Sequence, residues 1–166
     1  MPNRGSIHTS NDVVNVTLSV GQSKIGAGAI DRSGNEVCRL EEIVTPRESS
    51  ARFAAIVQQI VAVIHEVDLQ NVGYVGVSFP ELVPPPRRMI ADPENLSSDT
   101  NPIRDAITKL VAKELGTPMT VEVLHDAAAA VLGEVSLKGT MPGCRNCVFI
   151  VWGTGVASGI ISDGRL

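Results

Sequence analysis

Residues 13–31 read Val13-Val14-Asn15-Val16-Thr17-Leu18-Ser19-Val20-Gly21-Gln22-Ser23-Lys24-Ile25-Gly26-Ala27-Gly28-Ala29-Ile30-Asp31, and this stretch decides the fold. Its first eight residues alternate and are rich in β-branched side chains, the pattern of a half-buried strand. Gly21-Gln22-Ser23 punctuates the run. Lys24 to Asp31 then resumes as a second strand, which makes a hairpin. A doubly wound nucleotide fold would open strand–helix–strand and carry GxGxxG after its first strand. Here the glycine turn joins two strands, which points away from that fold.

Working outward, Ser33-Gly34-Asn35 reads as a turn and Glu36 to Thr45 as a third strand. The period then changes. Phe53, Ile56, Val57, Ile60, Val61 and Ile64 recur at helical spacing, with Ser49 and Ser50 as N-cap candidates. Val72 to Val77 is a fourth strand. Residues 78–99 hold Pro80, Pro84, Pro85, Pro86 and Pro93, which exclude long regular elements; a loop of this length tends to be functional. Thr100 is the expected cap of the next helix, with Pro102 in its first turn. Ile103, Ile107, Leu110 and Val111 form its buried stripe, and Gly116 ends it. Thr120 to Leu124 is a short strand, and Asp126 opens an alanine-rich helix running to about Lys138. A Gly/Pro/Cys linker follows over residues 139–147. Val148 to Trp152 and Gly159 to Ile161 then flank Gly153-Thr154-Gly155 as another hairpin. The order β-β-β-α-β-loop-α-β-α, then β-turn-β, implies an α/β fold with a mixed sheet of about five strands flanked by helices.

Composition bounds the function. The chain has 166 residues, 43% of them apolar, enough for one domain with a real core. Its net charge of −4 argues against a nucleic-acid surface, because phosphate binding wants clustered Lys and Arg. Arg87-Arg88 is the only tight basic pair, and a solvated loop explains it. Residues 1–12 are polar and read as a disordered tail. No apolar run suits a signal peptide or a membrane span, so the expected location is the cytoplasm, with no membrane partner. Cys38, Cys144 and Cys147 are too few and too odd for a disulfide scaffold. Cys144-Arg-Asn-Cys147 has CxxC spacing, but no second ligand pair is evident and His8, His65 and His125 are scattered, so no metal site is expected.

Three local features could carry chemistry. The turn Ser19-Val20-Gly21-Gln22-Ser23-Lys24 can aim backbone N–H groups at an anion and adds a hydroxyl and an ammonium, although most such turns only join strands. Gly153-Thr154-Gly155-Val156-Ala157-Ser158-Gly159 permits close backbone approach to a ligand, and a plain hairpin explains it as well. His125-Asp126 follows a strand and opens a helix, where ligands of open α/β sheets gather. A carboxylate there can take a proton from a bound hydroxyl, or simply cap the helix.

Taken in order, these features resemble the actin and hexokinase type of ATPase fold, ribonuclease H-like in its sheet, and within it the ROK (repressor, open reading frame, kinase) family of sugar kinases, glucokinases among them. The family's DIGGTK-like motif is matched by Ser19-Val20-Gly21-Gln22-Ser23-Lys24. Its turn after the fourth strand is matched by Gly76-Val77-Ser78-Phe79-Pro80, and its sugar loop by Glu94-Asn95-Leu96. Its Asn-Asp-Ala motif is matched by His125-Asp126-Ala127, followed by Gly133-Glu134 on the helix. Its GTG motif is Gly153-Thr154-Gly155, and Asp163-Gly164-Arg165-Leu166 matches the strand end beyond. The resemblance covers residues 12–166 and implies phosphoryl transfer from ATP to a hexose hydroxyl. It makes Asp126 the general base and Asn95, His125 and Asp126 the sugar contacts. Gly21, Gln22, Ser23, Lys24, Gly153, Thr154 and Gly155 become the phosphate contacts, with Mg²⁺ neutralising charge.

The chain departs from the family pattern at named positions. Ser19 stands where the family has Asp, Gln22 where it has a second glycine, and His125 where it has Asn. Ala157 and Ser158 replace glycines. The alternative these changes motivate is a non-catalytic relative that binds a sugar or a partner. A repressor role needs a DNA-binding segment upstream, and only a dozen residues precede the first strand. The resemblance divides the chain into an N-terminal ATPase domain over 13–138 and the linker and first hairpin of a second domain over 139–166. That hairpin would expose strand edges, which favours association into a homo-oligomer.

Overall fold

A computed structural model describes residues 13–80, 101–136, 139–152 and 155–166. The opening hairpin forms as its alternation dictates. β1 (Val14–Val20) buries Val14, Val16, Leu18 and Val20 and turns Asn15, Thr17 and Ser19 the other way. β2 (Lys24–Asp31) pairs with it antiparallel, Val14 opposite Asp31 and Val20 opposite Ile25.

The expected third strand is interrupted. β3 (Glu36–Arg39) and β4 (Ile43–Val44) both lie along β2, separated by residues 40–42. Arg39 stands opposite Gly28 and Ile43 opposite Ile25. The chain thus advances four residues while its partner retreats three. This one-residue slip is a bulge, and the pairing breaks at it.

α1 (Ser49–Val67) buries Ala55, Ile56, Val57, Ile60, Val63 and Ile64. Its cap is Glu48, not the expected Ser49 or Ser50. The Glu48 carboxylate accepts the N–H groups of Ser50 at 3.0 Å and Ala51 at 2.8 Å, one on each oxygen, while Ser49 and Ser50 already lie inside the helix. A short 3₁₀ turn (Leu69–Asn71) leads into β5 (Val72–Phe79), two residues longer than the sequence suggests. α2 (Pro102–Leu115) is capped by Asn101 rather than Thr100. The Asn101 Oδ1 accepts from Ile103 at 3.1 Å and Arg104 at 3.0 Å, and Pro102 takes the first helical position. Gly116 ends this helix at φ 69°, a left-handed conformation that suits glycine. β6 (Val121–His125) runs directly into α3 (Asp126–Val135), which stops short of the expected Lys138. Ser136 terminates it by donating its hydroxyl to the Gly133 carbonyl at 2.6 Å. β7 (Cys147–Trp152) and β8 (Val156–Ile161) close the order, each longer than expected.

The main sheet runs β3-β2-β1-β5-β6, with β4 beside β3 on the outer edge of β2. β1, β5 and β6 are mutually parallel and β2 is antiparallel to β1. The sheet is therefore mixed, with five positions, as the element order implies. α1 packs on β1 and β2, and α2 packs beside α1 and on β6. Their core joins Val16, Leu18, Ile25, Ile56, Ile60, Val75, Val77, Phe79, Ile107 and Val123. β7 and β8 make a separate two-stranded sheet seated on α3.

Candidate active site

Three parallel strands end on one side of the sheet, and the polar residues collect there. Ser19 near the end of β1 lies opposite Ser78 near the end of β5, and Phe79 lies opposite His125 at the end of β6. The Ser78 hydroxyl approaches that of Ser19 at 3.4 Å. The polypeptide then turns from β6 into α3 with no intervening loop, which places Asp126 at the first helical position beside these ends. Ligands of α/β sheets bind outside the carboxyl ends of strands, and here those ends carry two hydroxyls, an imidazole and a carboxylate.

His125, not Asp126, occupies the N-cap position, and its side chain makes no cap bond. The Asp126 Oδ1 accepts the Ala127 N–H at 2.6 Å and lies 3.2 Å from His125 Nδ1. No hydrogen bond among the described residues engages Oδ2. The Asp126 side chain is 40% exposed and that of His125 24%, so both reach solvent and the carboxylate is the more open of the two to a ligand. One oxygen anchored and one open suits a group that accepts a proton from a bound hydroxyl.

The turn between β1 and β2 is also defined. Gly21 N–H donates to the Lys24 carbonyl at 2.8 Å, while Gln22, Ser23 and Lys24 are exposed. The Lys24 ammonium bonds to Glu42 Oε2 at 2.8 Å, and Glu42 raises the lysine pKa while its own falls. With the two side chains 67% and 56% exposed, this pair is screened by water and yields to a competing anion. No local sequence signal marks Glu42, because its nearness to Lys24 depends on the β2–β4 register. Ser78 carries no signal of its own in sequence beyond the motif it belongs to; its meeting with Ser19 depends on parallel pairing.

Asn95, Gly153 and Thr154 lie outside the described residues. Gly155 is exposed just before β8, and nothing among the described residues stands within 4 Å of where its Cβ would be. No group of three or more His, Cys, Asp or Glu side chains among the described residues is placed to hold a metal ion. Mg²⁺ in phosphoryl-transfer sites needs only one or two protein oxygens beside the phosphates, and the open Asp126 carboxylate oxygen would offer one. Cys144 and Cys147 are free, and burial with the neighbouring Cys144 pushes the Cys147 thiol pKa up, away from reactivity. No helix among the described residues is long and apolar enough to cross a membrane.

The sequence pattern of the ROK family matches residues 15–166. The glucokinase of Streptomyces coelicolor is 29% identical over 153 residues, which are 91% of this chain and 44% of that protein. Among solved structures, the ROK family glucokinase of Streptomyces griseus, in complex with glucose and AMPPNP, superposes with a TM-score of 0.69. It is 26% identical over 92% of this chain and 45% of its own. A ROK family transcriptional regulator, a homologue of the E. coli MLC protein, shares the fold with a TM-score of 0.67 at 20% identity, over 93% of this chain and 38% of that one. The chain spans less than half the length of these relatives.

Proposed function

The chain belongs to the ROK family, and on that premise we propose that it works as part of an ATP-dependent sugar kinase, a transferase that moves the γ-phosphoryl group of ATP to a hexose hydroxyl. The observation that carries this reading is the gathering of Ser19, Ser78, His125 and Asp126 at the carboxyl ends of β1, β5 and β6. Asp126 accepts the proton of the attacking hydroxyl through its open oxygen. His125 and Asn95 hydrogen-bond the sugar and set the hydroxyl in line with the phosphorus. The turn Gly21-Gln22-Ser23-Lys24 and the turn Gly153-Thr154-Gly155 hold the phosphates from two sides. Mg²⁺, when bound, neutralises charge on the phosphate oxygens. Catalysis of this kind is mostly positioning and electrostatics, which matches a site with one base and several dipoles. In this reading residues 13–138 form the N-terminal actin-like ATPase domain, and 139–166 are the linker and first hairpin of a second. The separateness of the β7–β8 sheet supports that division.

The test is an assay of the full gene product with ATP–Mg²⁺ and glucose, fructose or N-acetylated hexosamines. Sugar phosphate is the expected product, and no turnover with any of them removes the kinase reading. Ser19 favours a second reading. With a hydroxyl in place of the family's carboxylate, the site has one fewer anion to orient a metal or its water. A non-catalytic sugar- or partner-binding relative would then bind hexose but not ATP–Mg²⁺ in calorimetry.

A further inference from the structure

We infer that Thr45 is a positioning residue for the phosphate turn: it holds the Gly21 and Ser23 carbonyls inward, so that the turn offers the Gln22 N–H to a nucleotide phosphate. The inference rests on the kinase reading above. Among the described residues Thr45 is the one buried polar residue, 7% exposed. A buried hydroxyl is costly unless it is bonded, and both hydrogen-bond donors of Thr45 are spent on one turn. Its Oγ1 donates to the Gly21 carbonyl at 2.8 Å, and its N–H donates to the Ser23 carbonyl at 3.0 Å. The β2–β4 pairing, Lys24 opposite Val44, delivers Thr45 to that place. Pro46 then confines Thr45 to extended backbone.

The consequence follows from peptide geometry. No peptide among the described residues is cis. In a trans peptide the carbonyl and the next N–H point in opposite directions. The Gly21 carbonyl drawn toward Thr45 therefore leaves the Gln22 N–H on the far side of the turn, while the Lys24 N–H, on the same side of β2 as the Lys24 carbonyl that accepts from Gly21, faces into the hairpin. An N–H dipole set outward in this way attracts an anion. Without the Thr45 hydroxyl, the peptide between Gly21 and Gln22 loses its tether, and its rotation would turn an oxygen toward the phosphate. The lysine adds its charge only where its ammonium leaves Glu42 for the phosphate, whereas the turn's backbone orientation is fixed by Thr45.

The experiment compares Thr45→Val and Thr45→Ser in the full gene product by steady-state kinetics. Valine keeps the shape and removes the donor; serine keeps the donor. Thr45→Val is expected to raise KM for ATP about tenfold, the effect of one hydrogen bond to an otherwise unsatisfied carbonyl, with kcat and the sugar KM little changed. Thr45→Ser is expected to restore KM for ATP. If Thr45→Val does not fold, Thr45→Ala is read in its place. An unchanged KM for ATP, an equal rise in both KM values, or no rescue by serine overturns the inference alone. A parent protein that neither binds ATP–Mg²⁺ nor turns over sugar removes the kinase reading, and this inference with it.

Discussion

Gly159 of β8 is seated directly on the Ala127 carbonyl of α3. A Cβ added at Gly159 would collide with that oxygen and stand 2.7 Å from Val131 Cγ1. This is backbone against backbone, so relief requires the hairpin to lift. The same helix carries Asp126 at its first position. Gly159→Ala is expected to destabilise the protein by about 1–3 kcal/mol, as overpacking does. Urea unfolding checks it, and an unchanged midpoint would show that β8 is free to shift.

Gly133 gives the opposite case on the same helix. Nothing among the described residues lies within 4 Å of its Cβ position, so a methyl there meets none of them. Glycine inside a helix carries an entropic cost that alanine avoids. Gly133→Ala is therefore expected to add about 0.4–1 kcal/mol of stability in the same unfolding experiment. A loss would mean that something outside the described residues occupies that space.

Glu48 ties stability to pH. Its carboxylate accepts two N–H groups at the start of α1 and the Ser50 hydroxyl. The Ser50 hydroxyl and those N–H groups hold its pKa below the usual value. A carboxyl whose folded pKa is depressed contributes stability above its unfolded pKa and loses it as pH falls through the folded one. Glu48→Gln is expected to melt a few degrees below the parent at neutral pH, and the gap is expected to close in acid. A gap independent of pH between neutrality and strong acid would contradict the charged cap.

The opening hairpin was legible because alternation is a local signal: Lys24–Asp31 forms with the bounds expected, and Val14–Val20 begins one residue late. The α1 stripe was legible for the same reason. The Glu48 cap was not, since Ser49 and Ser50 are the commoner cap residues and nothing in sequence shows which side chain reaches two N–H groups. The break between β3 and β4 is a slip against β2, visible only once the strands pair. At the site, Asp126 could be placed because strand and helix meet at one residue. Ser78 beside Ser19 and Thr45 beside Gly21 join residues 59 and 24 apart in the chain, and no local pattern carries such contacts.

One face of the β7–β8 hairpin is apolar and open. Val148, Ile150, Trp152, Val156 and Ile160 share it, and Trp152, the sole tryptophan, is 86% exposed. Residues 1–166 alone are expected to show water-like Trp152 emission that acrylamide quenches with the steep dependence of an exposed indole. Self-association through this face would shift the emission to shorter wavelength as concentration rises, and Ile150→Lys would suppress the shift by setting a charge in the middle of the face. Emission that is blue and protected at the lowest concentrations would show the face covered within a single chain.

Asp126 and its neighbour give the sharpest functional prediction. Asp126→Asn keeps an oxygen for the Ala127 N–H, now 2.6 Å from Oδ1, so the start of α3 is preserved. It removes the negative charge and the basicity. If Asp126 accepts the proton of the sugar hydroxyl, kcat is expected to fall by about 10²–10⁴-fold, the range for loss of a general base. Sugar affinity by calorimetry should change little, because the amide still hydrogen-bonds a hydroxyl. If His125 contacts the sugar, His125→Asn, the residue type of the family motif it resembles, is expected to act the other way round, moving KM for sugar more than kcat. If Asp126→Asn instead lowers stability and affinity while kcat holds, the carboxylate is a structural group at the helix start and the base lies elsewhere.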